Sequence, residues 1–166
     1  MADKVYNILV LCTGNSARSI MAEALFNVIG KGRFKAYSAG SHPTGKVHPL
    51  AIEQVKLLGY PIENLKSKSW DEFAMQDSPQ MDFIFTVCDN AAGEVCPVWA
   101  GKPITAHWGF EDPAAAVGTD EEKRREFQNI FRYMTNRVQL FVNLPLANLD
   151  SIAIKRELDT IGQIGK

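Results

Sequence analysis

Residues 6–19 read YNILVLCTGNSARS: an apolar run that breaks into a polar turn and hands the chain to a helical pattern. Tyr6–Leu11 is short and rich in aliphatic and β-branched residues, and it reads as a buried strand. After the turn, Ile20, Ala24 and Val28 recur every four residues, with Met21 and Leu25 beside them. This spacing predicts a helix that closes near Gly30 and Gly32.

The same alternation continues outward from this unit. Phe34–Ala39 reads as a second strand, and Pro49 opens a helix that ends at Gly59. Ser69 and Glu72 have capping-box spacing ahead of a short helix. Met81–Val87 (MDFIFTV) and Ile104–Trp108 read as further strands. Thr119 and Glu122 form a second capping box. It opens a long helix to about Leu144, with an apolar stripe of Phe127, Ile130, Phe131, Met134, Val138 and Phe141. Pro145 stops it, and an amphipathic piece follows from about Ser151 to Ile161. Alternating strands and helices imply a single-domain α/β fold: a four-stranded parallel sheet flanked by helices on both faces. Residues 1–145 are expected to form the main unit, and residues 146–166 a C-terminal helical extension packed on it.

The turn carries the chemistry. Backbone N–H groups at a strand-to-helix junction converge on one concavity, and the helix dipole adds positive potential. Gly14 is expected to supply backbone angles that a side chain forbids. The segment Thr13, Gly14, Asn15, Ser16, Ala17, Arg18 and Ser19 therefore suits a tetrahedral oxyanion such as phosphate, arsenate or sulfate. Cys12 enters the same field, which is expected to lower its pKa. Ser19 is a candidate donor to the sulfur. The Arg18 guanidinium can grip two oxyanion oxygens and offset the repulsion between a thiolate and an anion. Chance would often place a cysteine and an arginine this far apart. The strand before, the helix after and the Gly, Asn and Ser between favour a site. The glycine-lysine pair of a nucleotide-binding loop is missing.

Bulk properties narrow the field. The 166 residues suffice for a core without staples. The net charge of −1, with no basic stripe, argues against a nucleic-acid surface. Ile8–Leu11 is too short for a signal peptide, and no run approaches the ~20 apolar residues of a membrane span. A cytoplasmic location is expected. The cysteines Cys12, Cys88 and Cys96 are too few, and odd in number, for a disulfide framework. Cys88 and Cys96 are spaced wrongly for a zinc ribbon, so no metal is expected. They are either two unrelated core residues or, given the polar segment between them, a redox pair. Asp112, before Pro113, is pushed away from helix geometry. It lies past the fourth strand, at the sheet end where ligands of open α/β folds bind. It is a candidate general acid, or only the first residue of an Asx turn. His107 and Trp108 read as supports of its loop, and His42 and His48 as surface or capping residues.

The Cys12–Ser19 loop resembles that of the low-molecular-weight tyrosine phosphatase superfamily, which includes the thioredoxin-coupled arsenate reductases. The likeness runs from about Tyr6 to Leu140. The cysteine-to-arginine loop is common to both branches. Cys88 with Cys96-Pro97, and the string His107-Trp-Gly-Phe, look like the reductases, and Ala114 stands where the phosphatases commonly have an aromatic residue. The resemblance implies that the Cys12 and Cys88 strands are neighbours. It also implies reduction of arsenate to arsenite, as in arsenic detoxification, with Cys12 as nucleophile and Cys88 and Cys96 as shuttle. Thioredoxin, or glutaredoxin with glutathione, would be the external reductant, with no bound cofactor and a monomer or weak dimer. The alternatives are a low-molecular-weight protein tyrosine phosphatase, needing only Cys12, Arg18 and Asp112, and a non-catalytic oxyanion or redox sensor. Two departures stand out: Ala17 where many relatives have cysteine, and a Cys88–Cys96 spacing one residue wider than in some.

Overall fold

The computed structural model describes residues 4–63, 65–75, 77–88 and 101–164. Strands β1 (Tyr6–Cys12), β2 (Phe34–Gly40), β3 (Phe83–Thr86) and β4 (Ile104–His107) form one parallel sheet in the order β2-β1-β3-β4. β1 is central and buried from Ile8 to Cys12, which is why it reads as an uninterrupted apolar run rather than an alternating one. β4 is an edge strand, and only Ala106 of its four residues is buried. β3 is shorter than its apolar run. The bonds Asp82 N–H to Asn7 O (2.8 Å) and Val87 N–H to Leu11 O (3.0 Å) continue its contact with β1 beyond both ends.

The helices are α1 (Arg18–Ile29), α2 (Pro49–Leu58), α3 (Asp120–Val142) and α4 (Ser151–Gly162). All four bury residues in the core that contains Ile8 and Val10 of the sheet. Leu9, Leu11 and Ile84, on the opposite face, pack on Trp70 and Phe73 of a 3-10 turn at Trp70–Phe73. Among the described residues no helix is long and apolar enough to cross a membrane.

Local signals explain the boundaries. Gly59 ends α2 in the left-handed region at φ 90°. At α3 the expected capping box closes in both directions, Glu122 N–H to Thr119 Oγ at 3.1 Å and Thr119 N–H to Glu122 Oε1 at 3.2 Å. Asp120, Glu121 and Glu122 in the first turn complement the helix dipole. The box expected at Ser69 does not close: Ser69 Oγ accepts instead from Asp71 N–H at 3.1 Å, and the turn is too tight for an α-helix.

One aromatic cluster fixes the end of β4. Trp108 lies 4.4 Å from Phe85 and 6.0 Å from Phe26, centroid to centroid, and its Nε1 donates to Leu158 O at 3.0 Å. The Lys155 ammonium donates to Thr105 O. α4 is thereby fastened along β4, directly behind the loop that leads to Asp112.

Candidate active site

Cys12 is the last residue of β1 and pairs with Gly40 at the end of β2. The turn that follows is held from outside by its carbonyls. Ser41 N–H donates to Cys12 O (3.3 Å), His42 N–H to Thr13 O (2.9 Å), Thr44 N–H to Gly14 O (3.1 Å) and His48 N–H to Ser16 O (2.9 Å). The Ser67 hydroxyl also donates to Gly14 O, at 2.9 Å. In a planar trans peptide the N–H points away from the C=O. The N–H groups of Thr13, Gly14, Asn15 and Ala17 therefore turn to the inside of the loop. Arg18 and Ser19 open α1 and bring the positive end of the helix dipole to the same concavity. This arrangement can hold a tetrahedral oxyanion.

The expected role of Gly14 is corrected. The left-handed residue is Asn15, at φ 47°, not Gly14. Asparagine tolerates this region, and here both ends of its side chain are used. Oδ1 accepts from Lys68 N–H at 2.9 Å, and Nδ2 donates to Ser19 Oγ at 2.8 Å. A Cβ at Gly14 would lie 3.2 Å from Thr44 Cγ2, a close contact with an exposed side chain that can give. Gly40 is the tighter requirement: a Cβ would lie 2.4 Å from Thr13 O and 3.0 Å from Asn15 N. Ser19 is buried with Asn15 as its partner, and its own proton remains for donation.

Beneath the loop lies a polar cluster that sequence reading did not anticipate. Glu23 of α1 is 8% exposed. Its Oε1 accepts from Ser38 Oγ at 2.7 Å and sits 3.8 Å from the Lys68 ammonium. Burial pushes the Glu23 carboxyl up despite Lys68 and Ser38, and burial pushes Lys68 down despite Glu23. Because the Lys68 amide also holds Asn15, the cluster braces the turn from below. A lone acid inside the apolar run IMAEALF was the available signal.

Cys88 follows β3 by two residues and is 2% exposed, against 4% for Cys12. The parallel pairing of β1 with β3 brings the two thiols close enough to perturb each other, and Thr13 Oγ lies 3.5 Å from the Cys88 sulfur. This proximity corrects the expected pKa. The Cys88 thiol first, and burial second, push the Cys12 thiol up, against the downward pull of Arg18 and the Gly14 amide. Reading the loop alone omitted the second thiol beside it. Cys96 and the polar segment 89–95 lie outside the described residues.

Asp112 stands across the concavity. Its Oδ2 lies 3.7 Å from Arg18 Nη2, and its side chain is 43% exposed against 15% for Arg18. Its Oδ1 accepts from Ala114 N–H at 3.0 Å, so the Asx turn and the approach to Arg18 coexist. Arg18 Nη1 donates to Phe110 O at 3.0 Å, which orients the guanidinium from the same segment. His107 Nδ1 pairs with Thr86 Oγ at 2.8 Å, and Trp108 is buried, as supports of that segment should be. His48 caps α2, its Nδ1 accepting from Leu50 N–H at 3.1 Å. His42 Nδ1 lies 3.1 Å from Ser41 Oγ.

Comparison with known proteins fits this geometry. Residues 7–153 match the model of the low molecular weight phosphotyrosine protein phosphatase family. An arsenate reductase of Halalkalibacterium halodurans is 38% identical over 134 residues, covering 81% of this chain and 93% of the relative. The crystal structure of an arsenate reductase from Archaeoglobus fulgidus superposes with TM-score 0.63 at 31% identity, covering 82% of this chain and 99% of that one. A thioredoxin-dependent arsenate reductase of Corynebacterium glutamicum superposes with TM-score 0.54 at 25% identity, over 84% of this chain and 65% of the other. The chain belongs to the low molecular weight phosphotyrosine protein phosphatase family, and its similarity is to the arsenate reductases within it.

Proposed function

We infer that this protein is an arsenate reductase that works by a cysteine relay. One observation carries the reading: a second buried thiol, Cys88, stands beside the oxyanion loop, within reach of Thr13 and close enough to perturb Cys12. Phosphate ester hydrolysis needs no such partner, whereas removing an oxygen from arsenate needs two electrons that a dithiol can supply.

In the first step the Cys12 thiolate attacks arsenic, held by the loop amides and Arg18. Asp112 protonates the departing oxygen, water leaves, and an S–As(V) bond remains. Cys88 then attacks the Cys12 sulfur. The S–As bond breaks with its electron pair passing to arsenic, so arsenite departs and a Cys12–Cys88 disulfide forms. Cys96 next attacks Cys88, freeing Cys12 and leaving a Cys88–Cys96 disulfide. The dithiol of thioredoxin reduces that bond and is itself oxidised. Such a cycle belongs in a reducing compartment, hence the cytoplasm. It asks for no metal or bound organic cofactor, and a monomer suffices. Residues 1–145 carry the chemistry, and residues 146–166 are an extension behind the Asp112 segment.

The test is arsenate-dependent NADPH oxidation coupled through thioredoxin and thioredoxin reductase, with nitrophenyl phosphate hydrolysis run beside it. Consumption that vanishes in Cys88→Ser is the expected result. Absence of arsenate turnover, with phosphate release indifferent to Cys88→Ser, would leave a phosphatase.

A further inference from the structure

Arg137 of α3 is 4% exposed, yet no carboxylate among the described residues pairs with it. Its partners are neutral. Nη1 donates to Gly109 O at 3.2 Å and Nη2 to Ile164 O at 3.0 Å, and the guanidinium lies 4.5 Å from the centroid of the Phe110 ring. Nε has no hydrogen-bond partner among the described residues. A buried cation without a counter-charge is a costly way to fill a helix face that Leu or Met would fill well.

What the arginine holds is informative. Gly109 and Phe110 lie between β4 and Asp112. The Phe110 carbonyl accepts from Arg18 Nη1, and the Phe110 amide donates to Val87 O at 3.2 Å, one residue before Cys88. Two guanidinium groups thus grip one dipeptide: Arg137 from the helix side, through the Gly109 carbonyl and the Phe110 ring, and Arg18 from the oxyanion side. The second Arg137 nitrogen ties the grip to the end of the chain after α4.

We propose that Arg137 is a positioning residue for the reaction: by fixing Gly109 and Phe110 it sets the orientation of Arg18 and the placement of Asp112. A guanidinium suits this task because its fork reaches two carbonyls while its flat face covers an aromatic ring. An ammonium cannot do all three at once. The inference rests on the reading of Arg18 and Asp112 as reacting groups.

The experiment compares wild type with Arg137→Lys and Arg137→Met, each also in an Arg18→Lys background. Arsenate turnover, its pH profile and Tm are measured for each, together with thioredoxin reduction of the oxidised enzyme. The Arg137 variants should raise KM for arsenate about tenfold, as expected of sub-ångström displacement of a gripping group, and should shift one limb of the pH profile. Reduction of the oxidised enzyme by thioredoxin should be unchanged. In the Arg18→Lys background the KM penalty of the Arg137 substitution should be smaller than in wild type, because the part of it that acts through Arg18 is already lost. An unchanged KM and pH limb, or a penalty that adds in full to that of Arg18→Lys, would overturn the proposal. If Arg137→Met does not fold, Arg137→Lys decides on the same criteria. Failure of the underlying reading would look different, since wild type itself would then show no arsenate turnover.

Discussion

Two segments meet at Cys12, and they are held in opposite ways. The Cys12–Ser19 turn has the carbonyls of Cys12, Thr13, Gly14 and Ser16 fastened by the 41–48 strap and Ser67, with Glu23, Ser38 and Lys68 packed beneath it. The segment from Gly109 to Ala115 leans outward instead. Asp112 is 43% exposed, its carboxyl accepting from one amide and facing Arg18 at 3.7 Å, and the segment is oriented by Arg18, Arg137 and the bond from the Phe110 amide to Val87 O. The difference follows from what each does. A binding loop is effective when its donors are aimed before the anion arrives. A proton donor must meet a leaving oxygen that moves during the reaction, and a partly exposed carboxyl on a short tether can follow it.

The comparison is tested hardest by removing the chemistry of one segment without its structure. Asp112→Asn keeps an acceptor for Ala114 N–H and so keeps the turn. Loss of the general acid should lower the first step of the reaction by about 10²–10⁴-fold. Surface substitutions that preserve such contacts usually stay within about 0.5 kcal/mol. Rapid-quench measurement of arsenite formation, beside a thermal melt, checks both figures. A variant with near-normal chemistry would move the proton donor elsewhere.

The converse experiment deforms the binding loop and leaves every reacting group in place. Gly40→Ala puts a methyl 2.4 Å from Thr13 O, against backbone that cannot step aside cheaply. Overpacking of this kind destabilises by about 1–3 kcal/mol. Misaiming even one loop donor should lower kcat/KM by about 10²-fold. Phosphate binding by calorimetry, with stability from urea melts, separates the two effects. Normal affinity in a destabilised protein would show that the loop tolerates a shift at Thr13.

A third experiment addresses the sulfur that both segments enclose. Cys88 is the first cause of the upward push on Cys12. Cys88→Ala should therefore lower the Cys12 pKa, as Arg18 and the Gly14 amide become less opposed. Ultraviolet absorbance of the thiolate across pH, with Cys96 also replaced by Ala, reads this directly. An unmoved or higher midpoint would assign the effect to burial alone.

The sheet was legible because β1 and β3 are apolar runs between turn signals, and α3 carries a capping box and a clean stripe. The loop was legible because its residue types are dictated by backbone geometry. What escaped notice depended on contacts between distant segments. Gly40 looks like any strand-ending glycine until the loop packs on it, and Asn15 rather than Gly14 bears the left-handed turn. The Cys12 pKa was misjudged because its largest perturber, Cys88, lies just past another strand. Arg137 sits three residues after Met134 and four before Phe141, on the apolar stripe itself, but what its guanidinium holds lies on distant segments.

The smallest expected effect comes from Glu23→Gln, which probes the brace under the rigid loop. Glu23 has a folded pKa raised above its ordinary 4.5, chiefly by burial. A group raised in this way favours the folded state fully below its unfolded pKa and loses that contribution as pH rises through the folded value. Glutamine mimics the protonated form at every pH. The Tm of Glu23→Gln relative to wild type should therefore rise as pH climbs above about 4.5, and the two should converge towards the acidic end. Burial lowers the Lys68 pKa from its ordinary 10.5 while Glu23 opposes that shift, so loss of the Glu23 charge acts on Lys68 as well. Calorimetric scans of both proteins across the window decide the sign. If wild type gains on the variant as pH rises, the attraction of Lys68 outweighs burial and Glu23 is held as a true ion pair. If the variant gains, the carboxylate is kept under the loop at the expense of stability, for the alignment it gives Lys68 and, through the Lys68 amide, Asn15.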